Sequence, residues 1–218
     1  MTKGQLVAVE GIDGSGKTTQ IELLIKYLVG KNISFEVISF PRYEDNLYGN
    51  LIKRYLSGEF GSVIQANPYL MALTYASDRG LAKPLIENWL NEGKLVILNR
   101  YVSSSKAHLS ANLPEDKREE FMNWIEKLEY ETNKMPREDL TILLNVDPKS
   151  GYKNVEGGIK DIHEDSIKHL DEAFKIYLEL SKAEDNWKVV ECMREKNLKS
   201  KEDIHKLVVE IVNPYLVS

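Results

Sequence analysis

Residues 11–18 read Gly11-Ile12-Asp13-Gly14-Ser15-Gly16-Lys17-Thr18. They match G-x-x-x-x-G-K-[ST] in full, in the strand–turn–helix context that gives the motif its meaning. Before it, Gln5–Glu10 carries the apolar run Leu-Val-Ala-Val of a buried strand. After it, Thr18–Leu28 repeats apolar residues at Ile21, Leu24, Ile25 and Leu28, a helical spacing. Glycines let the backbone curl so that several N–H groups converge on phosphate oxygens. The helix N-terminus adds partial positive charge. Lys17 brings a full charge to the β- and γ-phosphates, and the Thr18 hydroxyl can ligate Mg²⁺. Gly11, Ile12, Asp13, Gly14, Ser15, Gly16, Lys17, Thr18 and Thr19 are therefore expected to bind ATP with Mg²⁺.

Outward from the loop, strands and helices alternate. Strands are expected at Ile33–Phe40, Lys94–Leu98, Leu140–Val146 and Trp187–Glu191. Helices are expected at Asn46–Leu56, Ala66–Asn91, Ser103–Ala111, Glu115–Asn133, Asp165–Asp185 and Ser200–Val212, the last with Ser200 as N-cap. This order implies an α/β P-loop NTPase three-layer fold: a five-stranded parallel sheet with helices on both faces. The ligand belongs at the carboxyl ends of the strands. One domain over residues 1–218 is expected, with a lid at about 148–165. Pro148–Ile162 has three glycines and little apolar content, which reads as a mobile loop.

The formal net charge is −5, so no broad basic face for a nucleic-acid polymer is expected. Cations for a phosphate must instead be placed locally. No apolar run is long enough to cross a bilayer, no signal peptide is visible, and Cys192 is the lone cysteine. A cytoplasmic protein without a membrane partner is expected. There are seven arginines, and Arg42, Arg79 and Arg100 each follow a strand or sit on a helix reachable from one. A forked guanidinium suits phosphate better than an ammonium does. Asp78 beside Arg79 reads as an ion pair. Arg54, Arg118, Arg137 and Arg194 read as surface residues, and Tyr101 as a core or wall residue.

Four pieces resemble the thymidylate kinase family in order and spacing: Glu10-Gly11-Ile12-Asp13, Phe40-Pro41-Arg42-Tyr43, Tyr75-Ala76-Ser77-Asp78-Arg79, and Asn99-Arg100-Tyr101-Val102-Ser103-Ser104-Ser105. The resemblance implies transfer of the γ-phosphate of ATP to thymidine 5′-monophosphate, with Lys17, Arg100 and Asp13 catalytic. It implies that Phe40 stacks on the base and Arg79 hydrogen-bonds a base carbonyl. It implies that Arg42 and Arg100 hold the monophosphate and Asp13 lies near the sugar and the metal. Ser104 and Ser105 would face the base. Homodimers through helices are implied too, with the apolar stripe on Tyr69–Leu90 compatible.

The chain departs from the family at three places. Asn99 stands where the family usually has Asp, which keeps the shape but loses the charge; Asp13 or Glu164 would then organise the metal with Thr18. No arginine occurs between Arg137 and Arg194, which leaves Lys153 and Lys160 as lid candidates. His108 stands where some members have Tyr, and His163 falls within an altered segment near the sugar or base. A deoxynucleoside kinase of the same fold would need a carboxylate base that Asn99-Arg100 lacks. A guanine-reading switch would need N-K-x-D, and Asn133-Lys134-Met135-Pro136 has Pro in place of Asp. A relative that has lost catalysis stays open on Asn99 and the arginine-free lid.

Overall fold

A computed structural model describes residues 3–61, 67–154 and 167–216. Strands β1 (Gln5–Glu10), β2 (Phe35–Ser39), β3 (Leu95–Asn99), β4 (Leu140–Asn145) and β5 (Trp187–Glu191) form one sheet in the order β2-β3-β1-β4-β5. Every pairing in it is parallel. From β1 the chain passes to the edge strand β2, returns to β3 between the two, then crosses β1 to build β4 and β5. The direction of winding therefore reverses beside β1, where parallel sheets leave a crevice at their carboxyl end.

Strand alternation divides the core in two. Leu6 and Ala8 of β1, with Val96 and Leu98 of β3, face helices α2 (Leu47–Leu56), α3 (Pro68–Asn91), α4 (Val102–Ser110) and α5 (Glu115–Glu126). Val7 and Val9, with Leu95 and Ile97, face α1 (Lys17–Gly30) and α8 (Lys201–Val212). A sheet apolar on both faces must be covered on both. A third cluster joins Ile12, Leu143 and Trp187 to α4 and α7 (Ile167–Ala183) through Ala107, Leu170 and Tyr177.

The expected strands and helices are all present, with ends shifted by a few residues. Three differences have physical causes. The expected helix Glu115–Asn133 is α-helical only to Glu126 and ends in a π-helical turn, Lys127–Thr132. Pro148–Asn154, expected as loop, is a short helix, α6; Asp147 caps it by accepting the N–H groups of Lys149 and Ser150. Gly151 answers to packing rather than mobility, since a Cβ there would lie 2.7 Å from the Asp13 carbonyl oxygen. The rest of the expected lid, including Lys160, His163 and Glu164, lies outside the described residues. A two-stranded hairpin, β6 (Met193–Arg194) and β7 (Asn197–Leu198), precedes α8; its two-residue strands are too short for any periodic signal.

Helix α2 sets the height of the segment after β2. Its N-cap Asn46 accepts the N–H groups of Tyr48 and Gly49. Gly49 presses so closely on Arg42 that a Cβ would fall inside contact distance of the Arg42 carbonyl. Gly49→Ala should therefore cost about 1–3 kcal/mol, as overpacking does, when urea unfolding is compared with the parent. A loss under about 0.5 kcal/mol would show that residues 41–46 yield freely.

Candidate functional site

Two clefts open at the carboxyl edge of the sheet. The first is built by the 11–18 loop. Gly11 (φ 144°) and Gly16 (φ 89°) hold conformations that favour glycine. A Cβ on Gly11 would also lie 2.7 Å from Ser15 Oγ, whereas one on Gly16 would meet nothing within 4 Å. Helices α2, α3 and α8 begin with the side-chain caps Asn46, Asn67 and Ser200, while α1 begins at Gly16, which has no side chain to offer. Its first N–H groups are thus left to water or an anion. Lys17 is buried, and Nζ donates to the carbonyls of Gly11 (2.9 Å) and Ile12 (2.8 Å).

The same cleft is lined by Thr18, Thr19, Asn99 and, from the hairpin and α8, by Leu198, Lys199, Lys201 and Ile204. These last four carry no motif. Helix α6 touches the loop through Asn154, whose Nδ2 donates to the Gly14 carbonyl at 2.9 Å. Lys153 on the same helix is exposed and lines neither cleft. Asn99 Oδ1 is buried without a hydrogen-bond partner among the described residues. An orphaned carbonyl oxygen costs about 1–3 kcal/mol, and a hydrated divalent cation beside Thr18 would satisfy it. The donor set thus fits Mg²⁺. Among the described residues no cluster of three or more His, Cys, Asp or Glu could hold a metal by itself, so further ligands would come from nucleotide phosphates and water.

The second cleft is lined by Asp13, Phe40, Arg79, Arg100, Ser104, Ser105 and His108, all expected from sequence, together with Tyr43, Tyr75 and Tyr101. Phe40 is buried with its ring 6.1 Å from that of Tyr101. Arg100 takes a left-handed backbone (φ 66°) directly after β3. Its Nη2 pairs with Asp13, and Nη1 donates to the Gly11 carbonyl and Ser104 Oγ, each at 3.2 Å. Burial works against charge on Arg100, but Asp13 together with Tyr177, Glu10 and Tyr43 outweighs it and holds the pKa above its ordinary value.

Arg79 is the largest fully buried side chain among the described residues. Asp78 does not pair with it, contrary to the sequence expectation. On a helix, neighbouring residues point about 100° apart, so the two diverge. Asp78 instead accepts from Arg42 through the backbone N (2.9 Å) and Nε (3.1 Å), and from Asn46. Arg42 lines neither cleft; Asp78 holds one edge of its guanidinium. The partner of Arg79 is Glu129 in the π-helical turn, which accepts from Nε (2.9 Å) and Nη2 (2.5 Å). Arg79 also donates to Ser105 Oγ (2.8 Å) and the Tyr101 carbonyl (3.4 Å). Burial opposes its charge, and Glu129, with smaller contributions from Tyr101 and Asp78, more than offsets this. These bonds take four of the five guanidinium N–H groups and leave one at Nη1.

Glu129 was invisible in sequence, because only the π-turn brings it opposite Arg79. Glu129→Ala would strand a buried cation and should cost about 3–5 kcal/mol in thermal or denaturant unfolding. Adding Arg79→Leu should recover much of that loss; a double variant whose loss equals the sum of the two single losses would show that the two are not coupled.

A family model described as thymidylate kinase matches residues 9–206 of this chain. A probable thymidylate kinase of Pyrococcus horikoshii is 33% identical over 222 residues, spanning 99% of this chain and 98% of that one. A thymidylate kinase of Mycobacterium tuberculosis is 33% identical over 141 residues, so the match covers 65% of each, just under two thirds. Among solved structures, thymidylate kinase from Candida albicans superposes with a TM-score of 0.79 at 24% identity, covering 97% of this chain and 92% of that one; at that identity the likeness is one of fold. With the phosphate loop, the arginine-lined second cleft and a match running from β1 into α8, the chain belongs to the thymidylate kinase family.

Proposed function

We propose that the protein transfers the γ-phosphate of ATP to thymidine 5′-monophosphate, giving thymidine 5′-diphosphate and ADP, and that it does so in the cytoplasm. One observation carries the reading: the two clefts meet. Asp13, Phe40, Pro41, Tyr43 and Arg100 line both. A donor held by the phosphate loop and an acceptor in the second cleft would bring their phosphates together at Asp13 and Arg100. Phosphoryl transfer needs mainly this, two phosphates in line with cations where charge builds up.

In this reading an oxygen of the acceptor phosphate attacks the γ-phosphorus, the bond to the β-phosphate oxygen breaks, and ADP leaves. The loop N–H groups and Lys17 bind the β- and γ-phosphates. Lys17 leaves its carbonyl partners to do so. Arg100, anchored by Asp13, holds the acceptor phosphate and faces the transferring group. Arg42 presents to that phosphate the edge that Asp78 does not occupy. Phe40 packs on the base, and the one remaining N–H of Arg79 reads a base carbonyl. The hydroxyls of Ser104 and Ser105 serve by holding Glu10 and Arg79, from 2.6 and 2.8 Å. Mg²⁺ would be held by Thr18 and Asn99 near Asp13, and would screen the negative charge of the phosphates.

ATP offered with thymidine and with its monophosphate in separate ADP-release assays should give turnover with the monophosphate alone. Phosphorylation of the nucleoside only, or no release with any common monophosphate, would overturn the proposal. Lys17→Ala should lower kcat by at least about 100-fold, the scale of a lost transition-state contact. Arg79→Ala should act chiefly on the KM of the monophosphate, and an unchanged KM would remove it from the acceptor site.

A second copy of the chain is the proposed partner. Helix α3 leaves Leu70, Leu73, Leu81 and Leu85 exposed, and α2 adds Leu47 and Leu51. Exposed large apolar side chains gathered on two packed helices favour an interaction surface. Sedimentation should give twice the monomer mass, and Leu81→Lys should return the monomer; a parent that sediments as a monomer at micromolar concentration would refute the dimer.

A further inference from the structure

Two histidines take no part in the steps above: the half-buried His108, which lines the acceptor cleft, and the buried His169. His108 of α4 and His169 of α7 stack, with ring centroids 5.7 Å apart and planes 27° from parallel. Arg100 Nη1 lies 3.1 Å from His108 Nε2. His108 Nδ1 lies 3.5 Å from His169 Nε2. His169 Nδ1 lies 3.0 Å from Asn112 Oδ1, just past the end of α4. The four side chains form a single file running from the phosphate end of the site to the far end of the helix.

The direction of the file is set at one end. A guanidinium has donors only, so His108 Nε2 must accept. A neutral imidazole whose Nε2 accepts carries its proton on Nδ1. That proton faces His169 Nε2, which must then accept in turn. His169 therefore also carries its proton on Nδ1 and donates it to Asn112. Both rings adopt the tautomer that an isolated neutral histidine disfavours in water. A proton on His108 Nε2 would instead set N–H against N–H at Arg100, and a doubly protonated imidazolium would add cation against cation. Burial pushes the pKa of His169 down to about 4, against the opposing pull of Asp13, which keeps its ring neutral.

Arg100 Nη1 has two protons and three acceptors around it: the Gly11 carbonyl, Ser104 and His108, the last being the nearest. The first two belong to the P-loop and to the Glu10 network. His108 is the acceptor that approaches from the C-terminal half of α4. We infer that His108 is a positioning residue for Arg100, held as its Nδ1–H tautomer by His169 and Asn112, and that it sets the orientation in which the guanidinium meets the acceptor phosphate. The inference rests on the acceptor reading proposed above.

The tautomers can be read on the unsubstituted full chain, without nucleotide, by long-range ¹H–¹⁵N correlation of the imidazole nitrogens at neutral pH. Both His108 and His169 should be protonated at Nδ1, with signals assigned by their loss in His108→Gln and His169→Asn. An Nε2–H form of His108 would overturn the inference, whatever the acceptor proves to be. In kinetics, His108→Leu should raise the KM of thymidine monophosphate about tenfold, the scale of one hydrogen bond to a charged group, with the KM of ATP little changed. His108→Gln, whose Oε1 can accept the same N–H, should stay within about threefold of the parent. Equal effects of Leu and Gln would show that the ring acts by bulk alone and would refute the positioning role.

Discussion

Glu10 is fully buried at the end of β1, and the geometry of the site depends on what its carboxylate accepts. Oε1 takes the Tyr101 backbone N–H at 2.7 Å; Oε2 takes the Ser104 hydroxyl at 2.6 Å and the Tyr177 hydroxyl at 3.0 Å. A buried carboxylate without partners would be neutralised or expelled. Satisfied three ways, it ties the residue before the phosphate loop to the β3–α4 turn, to α4 and to α7. Arg100 sits between two of these fastenings. Its own N–H goes to the Val9 carbonyl at 3.1 Å, and the next N–H goes to Glu10. A left-handed backbone at a non-glycine residue costs about 1–3 kcal/mol and persists only where the surroundings over-determine it. Here they do, and the result is a guanidinium turned back onto the loop.

The arginines of the second cleft, and Arg42 near it, share a pattern: each arrives with a carboxylate. Arg100 has Asp13, Arg79 has Glu129, and Arg42 has Asp78. The pairing lets a chain of net charge −5 hold buried and half-buried guanidinium groups at the site, each neutralised by its own carboxylate. It also fixes the long side chains before a ligand arrives, and an immobilised side chain spares about 0.5–1.5 kcal/mol of ordering cost on binding. The pairs are not equivalent. Arg79 and Glu129 are both almost fully buried, so their pairing is a condition of folding as much as of recognition. The Arg100–Asp13 and Arg42–Asp78 pairs keep an exposed edge on the arginine, which leaves room for a phosphate to join.

What the sequence makes legible divides along the same line. The sheet, its order of strands and helices, and the phosphate loop follow from short-range signals: alternation in β1, helical spacing in α1, and glycines at 11 and 16. The positions of Arg42, Arg79 and Arg100 are legible as well, because the motifs that carry them are contiguous. Their partners are not. Glu129 lies 50 residues from Arg79 and is aimed by a π-turn that no periodicity announces. Tyr177 reaches Glu10 across 167 residues. Asp78 looks like the partner of its neighbour, but helical geometry sends it to Arg42. Leu198, Lys199 and Lys201 enter the donor cleft only because a two-strand hairpin turns the chain there before α8. Local pattern predicts which residue types stand at a site; which of them hold one another is a property of the three-dimensional packing.

The charge balance of the donor cleft follows from one of the departures. With Asn at position 99, Asp13 is the lone carboxylate among the described lining residues, against Lys17, Arg100, Lys199 and Lys201. Asp13 is itself paired with Arg100. A cleft with this balance favours a polyanion over a bare divalent cation, because a cation entering first would meet uncompensated positive charge. With a triphosphate seated, its oxygens would supply the negative charge that Asn99 does not, and the neutral Asn99 side chain would need only to add one oxygen donor to the metal. At the Mg²⁺ site proposed above, the absence of an aspartate at 99 would weaken binding of free metal far more than of metal delivered on the nucleotide, and metal binding would become conditional on the donor.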